Sequence, residues 1–121
     1  MNELENLEQL EKEFRECRPV LTAIGDETRQ LIILSLSKGS YPGMRVGEIS
    51  KRTNLSRPAV SHHLKILKEA KIVNVVKQGT MNFYHINNPN KSGLVLMKAL
   101  FSHLEEFMVD CWKMSSDETK I

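Results

Sequence analysis

The 121-residue sequence predicts a mainly α (α+β) fold: four helices, a two-stranded β-hairpin and a fifth helix. Three observations carry this prediction. Apolar residues recur at steps of three and four through most of the chain, the period changes to two after Lys71, and a Ser-Arg-Pro step at Ser56 opens a well-marked helix. Hydrophobic residues at 40% and charged residues at 26% match an ordinary folded chain, which excludes collagen, low-complexity disorder and a disulfide scaffold. One domain over residues 1–121 is expected at this length.

Residues 1–24 read as the first helical region, with Leu4, Leu7, Leu10 and Phe14 in a stripe between glutamates and lysine. Pro19 is expected either to kink this helix or to start a second short one through Leu21 and Ile24. Asp26 is the N-cap candidate of the next helix, Leu31, Ile32, Leu34 and Leu36 are its expected core face, and Gly39 stops it. Residues 41–43 form a loop. Residues 44–70 then read as two helices joined by a tight turn. In the first, Val46, Ile49 and Leu55 face inward. The second has Ser56 as N-cap, Pro58 in its first turn, and a seam of Val60, Leu64 and Leu67. Residues 71–86 alternate as two strands about Gln78-Gly79-Thr80, a hairpin with glycine at its tip. After a connector at 87–93, the last helix (93–114) carries Met97, Phe101, Leu104, Met108 and Cys111 in a coiled-coil type seam. The tail after Met114 is expected to fray.

The net charge of +2 conceals an uneven distribution. Residues 1–26 hold seven acidic against three basic side chains, whereas residues 44–85 hold eight basic against two acidic. A positive middle third points to an anionic partner, with a merely solvated basic face as the alternative.

Two helices on a tight turn followed by a basic hairpin describe a winged helix-turn-helix. Small polar residues at the exposed start of its second helix let the backbone approach base edges in the major groove of double-stranded DNA. The candidate DNA-binding residues there are Ser56, Arg57, Pro58, Ala59, Ser61, His62, His63 and Lys65, and the hairpin tip adds Lys77, Gln78 and Thr80.

Several stretches are more specific. Asp26-Glu27-Thr28-Arg29, Leu55-Ser56-Arg57, Val60-Ser61-His62-His63-Leu64-Lys65, Leu67-Lys68-Glu69-Ala70 and Lys77-Gln78-Gly79-Thr80 before Phe83-Tyr84 resemble, in order and spacing, the signature of the ArsR/SmtB family of bacterial winged-helix repressors. The resemblance covers residues 20–112. It implies a homodimer formed through the first and last helices (1–24 and 93–114), a DNA-reading helix that starts at Ser56, and a promoter released when an inducer binds. The two apolar stripes suggest a dimer independently, because they hold more apolar surface than one short chain needs for its core. Their covering each other within one chain is the alternative. A two-fold dimer is expected to read an imperfect palindrome.

The family's metal sites find no match. At the Cys-x-Cys position this sequence has Arg45-Val46-Gly47-Glu48-Ile49. His103 and Glu106 reproduce the family's His-x-x-Glu on the last helix, but its partner positions are Asn90 and Ser92, too few ligands for a closed zinc site. No cofactor or metal is expected, so the inducer is unknown, and a solvent-facing pair is the plainer reading of His103 and Glu106. Cys17 and Cys111, one on each apolar stripe, are a redox-pair candidate, with Arg18 favouring a Cys17 thiolate; buried packing is the alternative. His62 and His63 cannot face one way on a helix, and His85 has no evident partner.

Catalysis has little support. Ser61 and His62 diverge on their helix, His103 and Glu106 lack a third group, and no phosphate-binding glycine motif occurs. A winged helix serving only protein–protein interaction is the stronger rival, although apolar anchors would then be expected over 56–65. RNA binding would want stacking aromatics on the hairpin. No membrane partner is expected, because no apolar run reaches spanning length, and the acidic first residues do not read as a secretory signal. Two cysteines without metal spacing fit a cytoplasmic location.

Overall fold

Side-chain caps set where the central helices begin. The Asp26 carboxylate accepts from the Arg29 backbone N–H at 3.0 Å and opens α2 (Glu27–Ser37). Ser56 does the same for α4 (Arg57–Glu69), its hydroxyl accepting from the Ala59 N–H at 3.2 Å. Each cap satisfies a backbone donor that the first turn leaves orphaned. Between them lies α3 (Val46–Thr53), which ends at Asn54 in the left-handed conformation (φ 58°) and so turns sharply into α4. These elements belong to a computed structural model that describes residues 2–119. The remaining ones are α1 (Glu3–Ile24), β1 (Val73–Gln78), β2 (Met81–Ile86), a short 3₁₀ turn (Pro89–Lys91) and α5 (Leu94–Thr119).

Contacts divide the chain into two compact units, residues 19–95 and residues 1–18 with 96–121. In the first unit Ile32, Leu36, Ile49, Val60, Leu64, Leu67 and Val73 are buried, so α2, α3, α4 and β1 share one core. The α4 seam falls where its spacing puts it. In the second unit Leu10, Cys17 and Leu100 are buried.

The hairpin pairs antiparallel from Val73 with Ile86 to Gln78 with Met81, so Gly79 and Thr80 alone form the turn. Gly79 has φ +63°, the positive value that a tight hairpin turn requires at its first position. A third segment joins this sheet: Met44 and Tyr84 exchange two backbone hydrogen bonds of 2.8 Å. Nothing in the sequence pattern announced that rung.

Three expectations need correction. Helix α1 passes through Pro19 as one element instead of restarting there. Its last turn is held from outside, because Arg29 Nε donates to the Ala23 carbonyl at 2.8 Å and an Arg29 terminal N–H to the Thr22 carbonyl at 3.0 Å. On α2, Leu31 and Leu34 are exposed; the Asp26 cap phases the helix so that Arg29, Ile32 and Leu36 face inward. Helix α5 continues past Met114 to Thr119, while residues 120–121 of the expected frayed tail lie outside the described residues. Among the described residues no helix is long and apolar enough to cross a membrane.

Candidate nucleic-acid interface

The start of α4 presents a positive helix end. Helices α2 and α3 each carry an acid in the first turn, Glu27 and Glu48, whereas α4 has none. Its partial positive charge therefore meets no carboxylate of its own first turn and stays open to an external anion. Ser56, Arg57, Pro58, Ser61, His62 and Lys65 are exposed, and Ala59 is half-buried. At the hairpin tip Lys77, Gln78 and Thr80 are exposed as well.

Arg57 does not extend straight ahead of the helix. Its guanidinium lies over Gly47 on α3, so close that a β-carbon at that position would sit 2.9 Å from an Arg57 terminal nitrogen. Arg57 thereby reaches a hollow of about 620 Å³ bounded by the start of α3 and by Thr80–Phe83 of the hairpin. Arg45 and Lys51 line the same hollow, with Glu48 as its acid. Sequence reading counted Arg45 and Lys51 in the basic middle third without singling them out. Their spacing of six on a helix of eight residues gives no signal until the hairpin is placed beside them.

His63 faces the other way, into the protein. Its Nδ1 lies 3.2 Å from an Arg29 terminal nitrogen, and its ring stands edge-to-face to His62 with centroids 5.5 Å apart. A guanidinium can only donate, so His63 Nδ1 accepts, which fixes the neutral Nε2–H tautomer. Nε2 is the one ring nitrogen left to face a duplex. Burial pushes the His63 pKa below its ordinary 6.5, Asp26 raises it, and Arg29 and His62 lower it. The Asp26 carboxyl is held below its usual 3.8, chiefly by the hydrogen bond from the Arg29 backbone N–H. His85 Nδ1 lies 3.0 Å from the Ile86 carbonyl.

Residues 26–75 match the family described as "Bacterial regulatory protein, arsR family". The Transcriptional repressor SdpR of Bacillus subtilis is 41% identical over 68 residues, which span 56% of this chain and 72% of that protein. The chain belongs to the arsR family. Its relatives include the Transcriptional activator HlyU of Vibrio cholerae, 30% identical over 74% of this chain and 81% of that one. The solved structure of reduced HlyU superposes with a TM-score of 0.58 at 28% identity, covering 74% of this chain and 90% of that chain. At the level of fold alone, the homodimeric winged helix-turn-helix DNA-binding domain Mb0332 of Mycobacterium bovis gives 0.58 at 23% identity, covering 77% of this chain and 85% of that one. The protein is thus an arsR-family transcriptional regulator with a winged helix-turn-helix fold.

Two further sets of candidate residues in this arsR-family chain lie on α1 and α5. His103 takes its carboxylate partner from α1 instead of from Glu106: its Nδ1 is 2.7 and 2.8 Å from the two Glu13 oxygens. Glu106 borders the same hollow, yet no group of three or more His, Cys, Asp or Glu side chains among the described residues could hold a metal ion. Cys17 is buried and Cys111 exposed, and both are free thiols. Burial raises the Cys17 thiol pKa, which outweighs the thiolate-favouring effect expected of Arg18 beside it.

Proposed function

We propose that this chain is a homodimeric repressor that binds a palindromic operator through α4 and the wing and leaves it when an inducer binds. The exposed start of α4, with no acid in its first turn, carries this reading, because its positive end is open to an anionic partner. Ser56, Ala59, Ser61, His62 and Lys65 enter the major groove, with Pro58 fixing the first turn. Arg57, turned back over Gly47 with Arg45 and Lys51 beside it, holds a phosphate of the backbone. Lys77, Gln78 and Thr80 hold the flanking duplex. An interaction module would want apolar anchors on this surface, and its exposed side chains are Ser, Arg, His and Lys.

The homodimer rests on the unit of residues 1–18 and 96–121, where Phe101, Met108, Val109 and Trp112 of α5 and Leu4, Leu7 and Phe14 of α1 are exposed. Apolar surface on that scale marks an interface. Repression follows the name of SdpR. The inducer is not a metal held by the family's usual ligand sets, since thiolates are absent at 45–49 and Asn90 and Ser92 stand where His103 and Glu106 would need partner ligands.

The test is selection of a random duplex library on the purified, reduced protein at about 150 mM salt. Recovery of one palindrome with half-sites about ten base pairs apart supports the reading. Recovery of no preferred sequence sinks it and leaves the interaction module in front. On the selected duplex, Lys77→Ala is expected to weaken binding to every sequence alike and to lower the salt slope by about one. An unchanged slope removes the wing from the interface. A reporter behind the selected site then decides the sign: derepression on deletion of the gene is expected, and loss of expression would make the protein an activator.

A further inference from the structure

Arg29 is a charged residue buried in the unit of residues 19–95, and every nitrogen of its side chain is committed. Nε and one terminal nitrogen donate to the Ala23 and Thr22 carbonyls in the last turn of α1. The other terminal nitrogen donates to His63 Nδ1 at 3.2 Å and lies 4.0 Å from the Asp26 carboxylate. One guanidinium therefore ties the end of α1 to the middle of α4, the helix assigned to the major groove. The tie depends on a lone pair at His63 Nδ1. A proton there would set an N–H against an N–H and an imidazolium beside a guanidinium.

We propose that His63 is a positioning residue for DNA binding, which in its neutral form fixes α4 through Arg29, so that acidification loosens α4 and weakens operator affinity. This rests on the DNA-binding reading above. The charged or titratable groups that act on the ring are the α2 N-cap Asp26, Arg29 on α2 and its neighbour His62 on α4, while the Ala23 and Thr22 carbonyls of α1 hold Arg29. Arg29 and His62 disfavour the imidazolium and Asp26 favours it, while burial is the largest influence and also disfavours it. With the folded pKa below the ordinary 6.5, the unfolded chain takes up the proton first. His63 therefore contributes its full stability above pH 6.5 and loses it as pH falls from there toward its folded pKa.

The experiment measures operator affinity and thermal melting from pH 7.5 to 5.5 for the wild type, His63→Asn and His63→Leu. Asparagine places its side-chain oxygen near the position of Nδ1 and does not titrate, so His63→Asn is expected to keep wild-type affinity at pH 7.5 and lose the acid-dependent decline. The wild type is expected to lose up to about tenfold in affinity, the ceiling for one imidazole taken one unit below its ordinary pKa. His63→Leu removes the acceptor and binds weakly at every pH. A His63→Asn profile that follows the wild type overturns the proposal, as does a His63→Leu protein of undiminished affinity at pH 7.5. If no variant binds the duplex, the DNA-binding reading fails by itself. The melting curves still decide the His63–Arg29 tie, which requires an acid-sensitive Tm in the wild type and a flatter one in His63→Asn.

Discussion

Replacing Gly43 by alanine is expected to remove about 3–5 kcal/mol of stability, most of what a small domain has to lose. Gly43 has φ +123°, beyond the left-handed region that asparagine or lysine can enter. Space is as restrictive as the dihedral angle. A β-carbon there would lie 2.2 Å from the Tyr84 carbonyl oxygen and 2.7 Å from its carbon, and both are backbone atoms of β2 that cannot swing aside. The next residue, Met44, is buried and exchanges the two hydrogen bonds that join its segment to the wing. An alanine must pull this rung apart, which adds about 1 kcal/mol per broken bond to the backbone strain. Urea unfolding followed by circular dichroism measures the change, and a loss under about 1 kcal/mol would show that the loop relaxes and the rung is dispensable. The wing should suffer first, so operator affinity of the variant is expected to fall with its salt slope reduced.

That rung also shows what the sequence could and could not disclose. Signals that act within one turn of chain were legible: the Asp26 and Ser56 caps, the Val60–Leu64–Leu67 seam, the change to period two after Lys71, and glycine at the hairpin tip. Pairings between distant segments were not, because periodicity states which face is apolar and never which partner covers it. Met44 pairs with Tyr84, Arg29 with His63 and the end of α1, and His103 with Glu13. Arg29 misleads most. A charged residue reads as solvent-facing unless three acceptors meet it, and those acceptors come from two other elements. Leu31 and Leu34 fail for a related reason: an all-apolar run has no phase until its cap fixes one. In the candidate site, the exposed start of α4 and the wing tip were read directly, whereas Arg45 and Lys51 joined them only once the hairpin stood beside α3.

The second large effect concerns assembly. A Phe101→Asp, Trp112→Asp variant is expected to sediment as a monomer at micromolar concentration, and the wild type as a dimer. Phe101 is 48% and Trp112 71% exposed within one chain, so neither side chain supports the monomer's own core and folding should survive. Both border one apolar hollow on α5 with Leu104, Met108 and Val109. Aromatic anchors in the desolvated centre of an interface contribute about 2 kcal/mol or more each, and every aspartate placed there must be buried without a partner. Two such changes on each protomer are repeated by the two-fold axis, so the penalty is counted twice per dimer. Operator affinity is then expected to fall by about 100-fold or more, because a monomer holds one half-site and loses the effective concentration that delivers the second. The salt slope should halve at the same time, since half the phosphate contacts are gone. Analytical ultracentrifugation and a duplex carrying a single half-site separate the causes. A variant that stays dimeric would move the interface off this face of α5. A monomeric wild type that still binds the full palindrome tightly would mean that DNA itself brings the two chains together.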